Sequence, residues 1–212
     1  MPPDLAPADR FSSGPARSFP GAPRSYIGYM DGNFVEIRNG RTADVFDIGR
    51  ILVETWQFAF RGLLADDFLD AMSPADQAVR HLGRRRTPDV RHCVAVDRLT
   101  GEIVGFVNFG PARGGSGAKA AEIYALYVRP PYQGIGIGSR LVKAAACRVM
   151  ASGQASLFAW VLSTNPNRGF YERLGARPVE IGPIRLGGVT YEQIAYAWHD
   201  VEMLLTDDAG AR

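Results

Sequence analysis

Three glycines alternate with isoleucines across Gly134-Ile135-Gly136-Ile137-Gly138, directly ahead of Ser139 and a stretch with helical spacing. Glycine inside a helix or strand costs roughly 0.5–1 kcal/mol relative to alanine, so three together need a compensating reason. One reason is a plain loop whose glycines relieve tight φ/ψ. The other is chemical: bare backbone N–H groups at a helix start can approach an anion closely. Two familiar nucleotide cradles fail on residue type. A phosphate-binding loop, GxxxxGK[ST], needs Lys-Ser or Lys-Thr after the glycines, and neither follows. The dinucleotide fingerprint GxGxxG meets Ser139 when read from Gly134 and Leu141 when read from Gly136, where each reading requires glycine.

Other chemistry-bearing residues are sparse. Glu122 stands at the start of an otherwise apolar strand, eleven residues before Gln133; by itself it reads as an exposed carboxylate at a strand end. His81, His92 and His199 stand singly, without metal-ligand spacing, and no metal is expected. Cys93 and Cys147 show no CxxC spacing, so no disulfide framework is expected, and both read as packing residues. The 24 basic and 22 acidic residues leave a net charge of +2, and all the bases except Lys119 and Lys143 are arginine. That balance argues for no nucleic-acid partner, and Arg84-Arg85-Arg86 reads as a solvated helix end.

The positioning elements follow from length and periodicity. With 212 residues, 46% of them hydrophobic, the chain can bury one sizeable core. No apolar run approaches the ~20 residues of a membrane span, so no membrane association is expected. Residues 1–25 are rich in Pro, Ala, Ser and Gly and lack the apolar core of a secretory signal. They read as a disordered tail, and the cytoplasm is expected as the location. Phe34–Arg38 alternates like a strand. Thr42 is placed to N-cap a helix through about Phe60, with Val45, Ile48, Leu52, Trp56 and Ala59 at three- and four-residue spacing. Leu63–Met72 and Ser73–Leu82 read as two short helices, the second with Ser73 as N-cap and Pro74 at the first helical position. Arg91–Val96 and Glu102–Gly110 form a hairpin, Pro111–Ala120 a flexible loop, and Ala121–Val128 a strand. The glycine run then opens a helix from about Gly136 to Met150, with Ile137, Leu141, Val142, Ala145 and Val149 on one stripe. A strand over Ser156–Leu162, a short helix closed by Gly175, and a strand pair over 177–201 complete the order β-α-α-ββ-β-α-β-α-β-β. This is an α/β pattern: a mixed sheet with helices on its faces.

Gln133-Gly134-Ile135-Gly136-Ile137-Gly138 matches Q/R-x-x-G-x-G/A, and here the chain resembles the GNAT superfamily, the GCN5-related N-acetyltransferases that use acetyl-CoA. "AEIYALYVRPPYQGIGIGSRLV" is similar to the family's fourth strand, turn and helix. "WVLSTNPNRGFYERLGARPV" resembles its fifth strand and following helix, "YEQIAYAWHD" its last strand, and "ETWQFAFRGLLADDFLDAMS" the first two helices of many bacterial members. The resemblance covers about residues 34–205, flanked by tails over 1–33 and 206–212. It implies the acyl-CoA N-acyltransferase fold, a mixed and mostly antiparallel sheet flanked by helices.

The resemblance also assigns expectations to residues. N–H groups from Gly134 to Ser139, including those of Ile135, Gly136, Ile137 and Gly138, would wrap the pyrophosphate of acetyl-CoA at the positive helix end. Leu126, Tyr127 and Val128 match the part of a bulged fourth strand whose main chain pairs with the pantetheine arm. A backbone N–H there would also polarise the thioester carbonyl. Glu122 matches a glutamate that serves some members as general base or amine anchor, since an ammonium must lose a proton before it attacks. Tyr171 matches a tyrosine that protonates the departing thiolate. Its alternative is a core aromatic. Asn165 resembles an asparagine that bonds the CoA arm, but it lies six residues before Tyr171 rather than the usual seven. Thr164 or Asn167 is therefore open for that role, and Asn165-Pro166 is equally readable as a helix N-cap followed by proline. Arg129, Arg140 and Lys143 flank the cradle and are candidates for the CoA 3′-phosphate, or surface residues. Trp56, Phe60 and Trp198 are candidates for an acceptor pocket, or core. The expected reaction moves an acetyl group from acetyl-CoA, as co-substrate, to a small-molecule or peptide primary amine by direct attack in a ternary complex. A non-catalytic acyl-CoA-binding or sensing module is the alternative, and a homodimer is left open.

Overall fold

The computed structural model describes residues 34–113 and 120–206. The tail expected over 1–33, the residues after Thr206 and the centre of the Pro111–Ala120 loop lie outside the described residues. Seven strands form one sheet: β1 (Val35–Asn39), β2 (Arg91–Asp97), β3 (Ile103–Pro111), β4 (Ala120–Val128), β5 (Ser156–Leu162), β6 (Arg177–Leu186) and β7 (Val189–Trp198). They lie in the order β1-β2-β3-β4-β5-β7-β6. Every neighbouring pair is antiparallel except β4 and β5. A parallel pair needs a crossover, which the helix opened by the glycines supplies.

Among the described residues three helices precede β2, one for each of the three helical segments read from the sequence: α1 (Val45–Ala59), α2 (Asp66–Asp70) and α3 (Pro74–Arg85). The crossover helix is α4 (Ile137–Ala151), followed by α5 (Gly169–Arg173) and α6 (Met203–Thr206). Thr42 does not cap α1. It opens a 3-10 turn over Thr42–Asp44, and the Asp44 carboxylate accepts the Arg41 N–H at 2.6 Å and the Arg38 guanidinium at 2.7 and 3.0 Å. Ser73 does cap α3, its hydroxyl accepting the Asp76 N–H at 3.2 Å.

Strand alternation sends successive side chains to opposite faces, and the two faces carry separate cores. Cys93, Ala95, Val104 and Val107 pack with Ile137, Leu141, Val142 and Ala145 of α4. Val94, Ile103 and Phe106 pack with Ile48, Ile51, Leu52 and Val53 of α1. On the outer side of α1, α3 crosses very closely at Gly49. A Cβ there would sit 2.3 Å from Pro74 O and 2.9 Å from Ala78 N.

Two of the three histidines, single in sequence, meet in space. His81 of α3 and His92 of β2 are buried, with His81 Nδ1 3.3 Å from His92 Nε2, and Phe106 packs edge-on against the His81 ring. Burial first, then Arg84, holds His81 down at about 4. Burial, then His81, Arg85 and Arg84, holds His92 at about 3. Both rings are therefore neutral at pH 7. Of the cysteines, Cys93 is a buried packing residue as expected, whereas Cys147 is exposed on α4.

Candidate active site

One extra residue shapes the site. Between β3 and β4, Phe109 faces Ile123 while Asn108 faces Ala125, so Tyr124 is inserted as a bulge. The β4–β5 ladder covers only Ala120–Ile123 against Ser156–Ala159. Beyond the bulge β4 pairs with β3 alone, and the two central strands part. The gap is a cavity of about 400 Å³ with Leu126, Tyr127 and Val128 on one wall and Asn165, Asn167, Phe170 and Tyr171 on the other.

The glycine run closes one end of this cavity. Gly134 and Gly136 have φ of 81° and 83°, in the left-handed region that side chains disfavour. A Cβ on either would meet no protein atom within 4 Å. Gly138 serves packing instead: its missing Cβ leaves room for the Phe170 ring, whose edge would lie at 3.2 Å. Gly134 and Gly136 thus combine a backbone conformation that favours glycine with open space beside it. Gly134, Gly136, Gly138 and Ser139 line the cavity. Gly136 stands as the N-cap of α4, and Arg140 N donates to Gly136 O at 3.1 Å. The preceding N–H groups of the first turn have no intrahelical acceptor.

Several expected contributors hold other positions. The Gln133 side chain touches the cavity but donates to Val128 O at 2.8 Å, tying the turn to β4. Ile135 packs on the α4 core and Ile137 is 1% exposed within it, so neither side chain lines the cavity. Arg129 pairs with Glu54 at 3.1 Å and Glu102 at 3.4 Å, and Arg140 donates to Val35 O at 2.6 Å. Trp198 is core, its indole N–H donating to Leu174 O at 2.7 Å. Asn165 is not a helix N-cap, because α5 begins at Gly169. Its Oδ1 instead accepts the Asn167 N–H at 2.8 Å, a tight turn that brings both asparagines to the cavity wall; Thr164 does not reach it.

Tyr171 stands where the parted strands leave room. Its ring stacks on Tyr196, centroids 5.7 Å apart, and meets Phe170 edge-on at 5.2 Å. Burial, with Tyr127 adding to it, pushes its hydroxyl above the usual tyrosine range, so it is protonated at neutral pH.

Glu122 departs from the exposed strand-end reading. It is not exposed: its side chain is 1% accessible. Nor does it line this cavity. Arg113 encloses its carboxylate, giving the backbone N–H at 2.9 Å, Nε at 3.0 and 3.1 Å, and Nη2. The Arg113 guanidinium also lies over the Tyr124 ring, 4.8 Å from its centroid. In this arrangement every strong acceptor position of Glu122 is engaged by one arginine.

A second cavity, of about 470 Å³, opens on the α1–α3 side of the parting. It shares Phe60, Leu126, Tyr127, Asn165 and Tyr171 with the first. Trp56 and Phe60, expected near an acceptor, do line it. Sequence reasoning missed Thr55 and Arg173 on the first cavity and Arg80, Arg84 and Arg113 on the second. Arg84 carried a signal, the Arg84-Arg85-Arg86 run, but read as solvated. Among the described residues no group of His, Cys, Asp or Glu could hold a metal, and no helix is long and apolar enough to cross a membrane.

Residues 50–176 match the family model described as the acetyltransferase (GNAT) family. The chain belongs to that family. It is therefore an acyltransferase, built on the mixed, mostly antiparallel sheet that the resemblance implied. It is 24% identical over 172 residues to the uncharacterized N-acetyltransferase YuaI of Bacillus subtilis (strain 168), covering 81% of this chain and 97% of that one. Among solved structures it is similar to the PaiA N-acetyltransferase of Thermoplasma acidophilum in complex with coenzyme A. That likeness has a TM-score of 0.62 at 18% identity, over 77% of this chain and 97% of the other. It is also similar to YncA of Salmonella typhimurium with its cofactor acetyl-CoA, TM-score 0.59 at 20% identity, over 84% and 98%.

Proposed function

We propose that the protein moves an acetyl group from acetyl-CoA to a primary amine by direct attack in a ternary complex. The observation that carries this reading is the parting of β4 from β5, which leaves Leu126–Val128 without a β5 partner beside a cavity ended by a helix start. The CoA complexes of the structural neighbours support it. The residues fit the group: open space at Gly134 and Gly136, free N–H groups at the start of α4, and the buried Thr55 hydroxyl, which has no protein partner on the wall of the same cavity.

Acetyl-CoA would supply the activated thioester. The N–H groups from Gly134 to Ser139 hold its pyrophosphate, with Asn165 and Asn167 along the arm. The main-chain N–H groups of Leu126 and Val128, which face away from β3, hold the arm and polarise the carbonyl. The protonated Tyr171 hydroxyl donates to the departing sulfur. Glu122 acts as a positioning residue that fixes Arg113, and the amine loses its proton to water in the second cavity. Direct attack is favoured because neither cysteine lines either of these two cavities, and burial pushes the Cys93 thiol above its ordinary value, away from the reactive thiolate.

The test is binding followed by turnover. Acetyl-CoA at a hundredfold excess over its Kd should stabilise the fold by about 2.7 kcal/mol, with ATP and NAD doing much less. Initial rates with a turned-over amine should give intersecting double-reciprocal lines. Equal stabilisation by ATP or NAD would overturn the cofactor assignment; parallel lines with a trapped acetyl-enzyme would overturn direct attack.

A further inference from the structure

The second cavity is cationic where an amine-binding site would be expected to be acidic. Arg80 and Arg84 stand one turn apart on α3 and share a face, and Arg113 approaches from the end of β3. Arg113 is paired with buried Glu122. Arg80 and Arg84 have no carboxylate within ion-pair distance among the described residues. Asp76, the carboxylate on that wall, is exposed in the first turn of α3 and pairs with neither. Burial, followed by Arg113 and Arg80 beside it, pushes the Arg84 guanidinium below its ordinary value. It is thus a partly desolvated cation facing like charges, an arrangement that an anion relieves. From these arginines the same cavity runs past Trp56, Phe68 and Trp160 to Asn165 and Tyr171, where it meets the first cavity.

We infer that the acceptor is a small amine that also carries a carboxylate, seated on Arg80 and Arg84 with its amine at the parting beside Tyr171; this rests on the acetyl-transfer reading. A guanidinium pairs a carboxylate through two parallel N–H bonds, which fixes orientation as well as affinity. The carboxylate offsets the repulsion that these arginines exert on an ammonium, so polyamines and other purely cationic amines fit poorly. The remaining positive charge favours the neutral amine, the form that attacks, which lessens the need for a dedicated base. A cavity of about 470 Å³ suits a molecule of amino-acid size with an apolar side chain against the aromatic walls.

The experiment is acetyl-CoA turnover with the full chain, using the common amino acids, each beside its carboxamide and its decarboxylated amine. At least one amino acid should exceed both counterparts in kcat/KM by about 10- to 100-fold, the range for a charged hydrogen bond. Arg84→Gln and Arg80→Gln should raise KM for that amino acid by a similar factor, leave its decarboxylated amine equal or improved as the repulsion is relieved, and leave acetyl-CoA affinity unchanged. If Arg84→Gln lowers the melting temperature, Arg84→Lys should retain the fold and part of the preference. Turnover of the neutralised counterparts equal to or better than every amino acid overturns the inference. So does turnover of no amino acid at all, or a KM rise in Arg84→Gln that is the same with and without the carboxylate. Failure of the broader reading is distinguishable: then acetyl-CoA does not bind, or binds with no turnover of any amine, whether or not it carries a carboxylate, whereas turnover confined to the neutralised counterparts overturns this inference alone.

Discussion

Acidification to pH 5 should remove about 4 kcal/mol of folding stability through His81 and His92. Each ring titrates near 6.5 in an unfolded chain, but folded His81 is held at about 4 and His92 at about 3. A lowered folded value means that the unfolded state binds more protons below pH 6.5, so stability is complete above that pH and falls as pH drops. At pH 5 both folded values are still below the solution pH. Each histidine then costs about 1.36 kcal/mol per unit over the 1.5 units down from 6.5, or roughly 2 kcal/mol. The pair therefore gives about 2.7 kcal/mol per pH unit, a large part of a typical 5–15 kcal/mol stability. Asp44, where burial opposes ionisation but Arg38 and the Arg41 N–H outweigh it, titrates below its usual value and loses stability only further into acid. Urea unfolding at pH 7, 6 and 5 measures the slope, and the double variant His81→Gln/His92→Gln should flatten it while lowering stability at pH 7. A wild-type loss below about 1 kcal/mol between pH 7 and 5, or an unchanged slope in the double variant, would refute the reasoning. Because His81 lies on the helix that carries Arg80 and Arg84, acceptor KM should worsen over the same range.

Gly136→Val forces a β-branched residue to φ near 83° and puts methyl groups where the helix start faces open space, so acetyl-CoA stabilisation should vanish; calorimetry that finds unchanged affinity would argue against the cradle. Tyr171→Phe should lower kcat by roughly 10²–10⁴-fold with little change in acetyl-CoA affinity, and the loss should shrink with an acyl donor whose thiol leaves more easily. Arg113→Met strands the buried Glu122 carboxylate and should cost about 3–5 kcal/mol in urea unfolding, whereas Glu122→Gln, which leaves an exposed arginine free to hydrate, should cost less. If Glu122 were instead the base, Glu122→Gln would flatten the acid limb of the rate–pH profile at unchanged stability.

Much of the sheet was legible because each strand carries a period that one partner enforces. Ser156–Leu162 was read with its observed bounds, since a short apolar run between turn residues has few other solutions. The start of α1 was not, because Thr42 offers a hydroxyl but Asp44 outcompetes it with a carboxylate that Arg38 and Arg41 can reach. The cradle glycines were visible from spacing, yet which glycine serves φ and which serves packing depends on Phe170, 32 positions after Gly138. Glu122 shows the sharper limit. Its type and place in the strand fit a base or a surface acid, and only the approach of Arg113 across nine residues of chain separates those from a buried ion pair. The histidine pair and the Arg80–Arg84–Arg113 cluster were hidden for the same reason: each joins residues from elements whose packing distance no local pattern encodes.

The bulge at Tyr124 connects these parts. Upstream of it, Ala121 and Ile123 pack toward α4; downstream, Leu126 and Val128 do, while Ala125 and Tyr127 turn toward α1. Without the inserted residue, a period of two would carry Ala125 to the α4 side and Leu126 away from it, exchanging the faces of the whole strand end. The same insertion adds local twist, which bends β4 away from β5 after Ile123. One residue thus produces both conditions that the site needs. Main chain at Leu126–Val128 is freed on the side where the glycine run opens, and Tyr127 is delivered to the side where α1 and α3 bring Trp56, Arg80 and Arg84. The two cavities meet at Leu126, Tyr127 and Tyr171 because the strand that separates them changes its pairing there.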